Sequence, residues 1–371
     1  MMARISPTRK AILITALVLV AALCARGIYA LTKHEWHIDE GITLMLTNGN
    51  WMPGLDMADH DEWLTGADMR AKTMSDRINS LPAPDIGQIA LSTAADVHPP
   101  VYYWLFAMAR KVMGAGTGIP AGYLLNALFF AVSLLLFARI SWKTFPDPAV
   151  FACTLSIFAL SSATVSLTVF LRMYELLQMF CLAFLAGARA VLFPPSGKRA
   201  GVWLGVAVLF FSTFFGLLTQ YYFIFFALPV CVFALVWLIR DRRPGDLLWC
   251  VLAIAVAGYL AFKFFPPMGE HLTKSYRAKQ SIQNISRTMS LHWAESFVIY
   301  AVILGRCLIP LAGAAALAIL AAARRPLARR AGGEGGGRVN ALLGFLMTED
   351  DKSACERKAI APAAALFLLV F

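Results

Sequence analysis

Apolar runs close to 20 residues long recur along this chain, and that recurrence constrains the fold more than any other feature. In a helix, about 20 apolar residues cross the ~30 Å hydrocarbon core of a bilayer. Such runs lie at 11–31, 119–138, 149–168, 173–192, 201–219, 221–239, 247–264 and 295–322. Charge is sparse, at 15% of the 371 residues, and 59% are hydrophobic, which excludes an ordinary soluble enzyme and a disordered chain. Most of the seven cysteines sit inside the apolar runs and none forms a C-x-x-C pair, so they read as small core residues. The expected fold class is an all-α polytopic membrane protein.

Basic clusters set the orientation. Arg139 with Lys143, Arg189 with Lys198 and Arg199, Arg240 with Arg242 and Arg243, and the 324–330 cluster mark cytoplasmic ends. A shorter apolar piece, 99–113, ends in Arg110 and Lys111. If it crossed the membrane, every later cluster would fall outside. It is therefore expected to lie at the outer interface or to re-enter, with both basic side chains reaching the headgroups. The N-terminus and the clusters then fall inside, and 32–118 and 265–294 form outer loops. The domain reading is a membrane module over 1–322, a basic, Gly-rich cytoplasmic linker over 323–358, and 359–371 as the start of an incomplete helix. Those last 13 residues are too short to cross, so the chain is expected to be truncated at its C-terminus. No internal repeat or broken span is evident. The formal charge of +11 would suit a nucleic-acid binder, but in this setting it reflects the basic inner loops, and no nucleic-acid partner is expected.

The first outer loop is unlike the rest. Residues 32–97 carry 11 acidic and 4 basic residues. His34, His37 and His60 lie within it and His98 at its edge, while His271 and His292 lie in or beside the second outer loop. Titratable chemistry is thus expected outside. His37-Ile38-Asp39-Glu40-Gly41 follows the first span closely, which puts two carboxylates at headgroup depth, where a base acting on a lipid-linked substrate would sit. Taken alone, they read first as solvated loop acids or a helix start. His98-Pro99-Pro100-Val101-Tyr102-Tyr103-Trp104 reads as a helix start, because proline suits the first turn and aromatics suit an interface. Leu171-Arg172-Met173-Tyr174-Glu175 joins two runs. Its Arg172 and Glu175 are expected on one helix face, either as a pair or lining a cavity. Gln220-Tyr221-Tyr222-Phe223 closes a span and reads as an aromatic belt or part of a site.

Together, D-E after the first span, H-P-P-x-Y-Y opening the next apolar piece and R-x-Y-E after the third span resemble the GT-C glycosyltransferases. The resemblance is to the bacterial branch related to protein O-mannosyltransferases and the lipid A aminoarabinose transferase. It covers about residues 10–240. It implies a GT-C-like helical bundle whose first extracytoplasmic loop contains juxtamembrane helices. It also implies an inverting transferase that moves a sugar from a polyprenyl-phosphate donor to a hydroxyl of a glycan, lipid or protein. The site would face outward from a bacterial inner membrane. By the resemblance Asp39 is the catalytic acid residue, with Glu40 beside it. Arg172, Tyr174, Glu175, His98, Tyr102 and Tyr221 would line the donor-phosphate cavity. Gln220 departs from the His often found there.

His34-x-x-His37-x-Asp39 offers nitrogen and oxygen ligands at close spacing, so a divalent metal stays open, although no cofactor is required. Two other classes stay open as well. One is a transporter or flippase for a lipid-linked saccharide, and the other is a non-catalytic envelope-assembly protein.

Overall fold

The computed structural model describes residues 6–33, 37–47, 86–114, 118–194, 199–274 and 279. The expected span 295–322, the linker 323–358, the piece 359–371 and His34 lie outside the described residues.

Twelve helices and no strand occur among the described residues. They are α1 (Pro7–Thr32), α2 (Ile38–Leu46), α3 (Ile86–Ala95), α4 (Val101–Met113), α5 (Gly118–Thr144) and α6 (Pro148–Leu160). The others are α7 (Ser162–Val169), α8 (Tyr174–Leu192), α9 (Arg199–Thr219), α10 (Phe223–Arg240), α11 (Pro244–Phe264) and α12 (Pro267–Thr273). An apolar segment in lipid must satisfy its backbone internally, which selects helix. Among the described residues, six helices are long and apolar enough to cross a membrane: α1, α5, α8, α9, α10 and α11. Large apolar side chains such as Leu17, Leu128, Leu204, Leu228 and Val251 face outward on these helices. Such coverage is costly in water and suits a bilayer. The chain is a multi-span integral membrane protein.

Helix α4 has 13 residues, so it extends roughly 20 Å and is too short to cross. Tyr102, Tyr103, Phe106 and Ala107 on it are buried in an apolar core shared with α2, α3, α5, the start of α8, and the ends of α9, α11 and α12 nearest it. Lys111 is exposed as expected, but Arg110 turns inward at 7% exposure instead of reaching out. Burial lowers the Arg110 pKa from its ordinary value.

The expected single span over 149–168 is two helices, α6 and α7, bent by 44°. Ser161 is the cause. Its backbone is extended, and its hydroxyl accepts from Thr164 N at 3.3 Å, so it ends one helix and caps the next. Small polar residues compete for backbone bonds, and three of the four residues 161–164 (Ser161, Ser162 and Thr164) favour a break. Spans α8 and α9 cross at Gly187 and Gly205. A Cβ on Gly205 would lie 2.8 Å from the Gly187 carbonyl oxygen, so only glycine permits this approach.

Candidate functional site

The link from α7 to α8, residues 170–173, seats the site. Carbonyls at a helix C-terminus have no partners within the helix. Here side chains supply them. Asn126 Nδ2 donates to the Thr168 and Phe170 carbonyls at 3.1 and 3.0 Å. Lys33 Nζ donates to the Val169 carbonyl at 2.9 Å. Asn126 is fully buried, and its Oδ1 accepts from the Tyr102 hydroxyl at 3.1 Å.

Glu40 holds the link from the other side. Its Oε1 accepts from Lys33 Nζ at 2.5 Å and from Leu171 N at 2.9 Å. Its Oε2 accepts from His37 N at 3.1 Å, while His37 Nδ1 accepts from Asp39 N, which completes a capping box for α2. At 1% exposure with both oxygens bonded, Glu40 is a strut. Asp39, one residue earlier, is different. Its side chain is 28% exposed, and its Oδ2 lies 3.5 Å from Arg172 Nη2. That distance is longer than the ~2.7–2.9 Å of a tight charge-assisted bond. Asp39 is the acid of the pair that keeps an open oxygen.

Arg172 is 2% exposed. Its Nη1 donates to Thr43 Oγ1 at 3.3 Å, and its Nη2 faces His98 Nε2 at 3.3 Å. His98 Nδ1 lies 2.6 Å from Asp96 Oδ2. A proton on Nδ1 donates to Asp96 and leaves Nε2 as the acceptor for Arg172, a tautomer assigned from its partners. Asp96, His98 and Arg172 thus form a line that aims the guanidinium at Asp39. Burial pushes the Asp96 carboxyl up. The hydrogen bond from His98, the charge that ring carries when protonated, the Val97 backbone and the Arg172 charge outweigh it, and the pKa falls below the ordinary 3.8. Folding therefore disfavours the proton on Asp96. Its stabilisation is complete above the ordinary carboxylate value and is lost as pH falls through that value toward the lowered one. Thermal unfolding between about pH 5 and pH 3 is expected to show this loss in the wild type and less of it in Asp96→Asn.

Glu175 does not pair with Arg172. Arg172 precedes α8 and Glu175 sits in its first turn, so the two never share a helix face. Glu175 is fully buried, and it accepts from Thr168 Oγ1 at 2.9 Å and Gln178 Nε2 at 3.1 Å. The Thr168 hydroxyl in turn accepts from Arg26 Nε at 2.9 Å. Arg26 also donates to the Ala159 carbonyl at 2.7 Å, at the end of α6, and lies 3.4 Å above the Phe130 ring. This second polar cluster ties both halves of the broken span to α1 and α8.

The structure therefore brings Asp39, Glu40, His98 and Arg172 into one contact network. Tyr102 joins it through Asn126. Tyr174 stacks on Phe170 at 6.0 Å between ring centroids, beside the link. The Tyr221 hydroxyl donates to His271 Nδ1 at 2.8 Å, and His271 Nε2 bonds the Ala94 carbonyl at 2.9 Å, which pins α12 to α3. His37 lies edge-on to Phe170 and spends Nδ1 on the cap. Among the described residues, no three His, Cys, Asp or Glu side chains gather as a metal site. Of the six buried side-chain polar atoms that make no hydrogen bond among the described residues, Arg172 Nε belongs to this network and the Tyr103 hydroxyl to the H-P-P-x-Y-Y helix beside it.

Lys33, Thr43, Asp96 and Asn126 belong to the site without having been singled out by motif, and Tyr103 stood in the H-P-P-x-Y-Y motif without a role of its own. Two residues carried a usable signal. Asn126 interrupts one apolar run and Arg26 another, and polar groups at membrane depth usually have a task.

No protein-family profile, curated protein or solved structure matches the chain. Its fold and buried charge define it as an all-α, polytopic membrane protein.

Proposed function

We propose that the chain is an integral membrane glycosyltransferase of the GT-C type, moving a sugar from a polyprenyl phosphate to an acceptor hydroxyl at the extracytoplasmic face of a bacterial inner membrane. The observation that carries this reading is the pairing of an accessible carboxylate, Asp39, with a buried guanidinium, Arg172, held 3.5 Å away at the end of a relay. Asp39 takes the proton of the acceptor hydroxyl. The hydroxyl oxygen attacks the anomeric carbon, and its bond to the phosphate oxygen breaks with inversion. The electron pair stays on the leaving phosphate, whose charge Arg172 stabilises. Guanidinium suits this task because its planar donors match phosphate oxygens. Glu40 and Lys33 hold the link that carries Arg172, so the site is arranged before substrate arrives.

A transporter for a lipid-linked saccharide is the second reading. The broken span α6–α7 and the buried Arg26–Thr168–Glu175 cluster favour it. Purified protein in vesicles, given a labelled polyprenyl-phosphate sugar and acceptor glycans, separates the two. The transferase releases free polyprenyl phosphate and labels the acceptor. Movement of intact donor across the bilayer without cleavage would instead establish the transporter.

A further inference from the structure

We infer that the Tyr103 hydroxyl and the Nε–H of Arg172 act together as a two-donor clamp for a phosphate group. The inference rests on the proposed donor site and adds to it a residue and a mode of recognition.

Tyr103 is fully buried and Arg172 is 2% exposed, yet the Tyr103 hydroxyl and Arg172 Nε have no hydrogen-bond partner among the described residues. Buried donors are nearly always paired, and an unpaired one destabilises a fold. Six such atoms occur among the described residues, and of these Arg172 Nε belongs to the Asp39 network and the Tyr103 hydroxyl to the helix that follows His98, where a substrate would supply the acceptor. The neighbouring Tyr102 shows the contrast, since its hydroxyl is committed to Asn126 at 3.1 Å. Tyr102 fastens the link, and Tyr103 is left to donate.

His98 links the two groups along the chain and in space. Tyr103 sits in the first turn of α4, just after His98, and His98 touches Arg172 at 3.3 Å. Of the charges acting on the Tyr103 phenol, Arg172 is the largest, followed by Asp96. A ligand that satisfies both donors must present more than one acceptor oxygen and a negative charge opposite the guanidinium. A sugar hydroxyl offers one neutral oxygen. A phosphate offers several non-bridging oxygens in a tetrahedral array, so donors can approach from two directions. The clamp also suits the proposed reaction, because charge grows on the phosphate as the sugar leaves.

Tyr103→Phe tests this, because it keeps the ring and removes only the hydroxyl. Binding of polyprenyl phosphate, polyprenol and inorganic phosphate is measured on the purified full chain, alongside thermal unfolding without added ligand. The variant is expected to unfold at the same or a higher temperature, because an unpaired buried hydroxyl has been removed. Its affinity for polyprenyl phosphate is expected to fall about tenfold or more, the usual effect of losing a hydrogen bond to a charged group. Its affinity for polyprenol should not change. A parallel loss with inorganic phosphate also supports the clamp and assigns recognition to the phosphate alone. A loss seen only with polyprenyl phosphate supports it for the lipid-linked form. Unchanged affinity for polyprenyl phosphate overturns the clamp, and so does a lowered unfolding temperature without ligand, which would make the hydroxyl structural. A wild type that transfers sugar while Tyr103→Phe binds and reacts normally removes the clamp and keeps the transferase. A Tyr103-dependent binding loss in a protein that transfers nothing keeps the clamp and removes the transferase.

Discussion

Asp39→Asn is expected to lower sugar transfer by about 10²–10⁴-fold, the usual contribution of a positioned general base. Asparagine keeps the shape of the side chain and cannot accept a proton from the acceptor at useful pH. Stability should change little. Asp39 is 28% exposed and its contact with Arg172 is 3.5 Å, and ion pairs with that much solvent access contribute about 0–1 kcal/mol. Steady-state kinetics should show the loss in kcat, with donor binding largely kept because Arg172 and its relay remain.

The neighbouring acid should behave in the opposite way. Glu40→Ala is expected to destabilise the fold by about 3–5 kcal/mol, the range found when one partner of a buried ion pair is removed. Glu40 is 1% exposed and bonds Lys33, the Leu171 amide and the His37 amide. Without it, the half-buried Lys33 loses its carboxylate partner while keeping the Val169 carbonyl, the Leu171 amide loses its acceptor, and the link that presents Arg172 comes loose. Activity falls too, as a consequence of that loss. Thermal unfolding in detergent distinguishes the two variants. The Asp39 variant should melt with the wild type, and the Glu40 variant well below it. Two adjacent acids with separate phenotypes would be difficult to explain if both were solvated loop residues.

The membrane bundle could be read from the chain because about 20 apolar residues leave the backbone few alternatives. Six of the expected spans are intact helices. The span over 149–168 broke where hydropathy carries no information, since serine and threonine are tolerated in an apolar average while their hydroxyls cap helices. The site was legible in part. D-E, H-P-P-x-Y-Y and R-x-Y-E each contributed a side chain to one network. Their division of labour was not legible. Asp39 and Glu40 are adjacent in sequence, and only the turn at His37 directs one toward Arg172 and the other toward Lys33. Helical spacing paired Arg172 with Glu175, but α8 begins after Arg172, and the two residues serve different clusters. Tyr102 and Tyr103 look interchangeable in a motif, and the partner that separates them, Asn126, comes from the middle of an apolar run.

In the proposed transferase Asp39 is the base and Arg172 its charge partner. The most direct measurement is single-turnover transfer from a labelled polyprenyl-phosphate sugar by wild type and Asp39→Asn, in matched lipid and at matched folded fraction. Labelled acceptor and free polyprenyl phosphate are expected from the wild type, with a rate lower by about two orders of magnitude or more in the variant. Equal rates in the two proteins would contradict that role for Asp39.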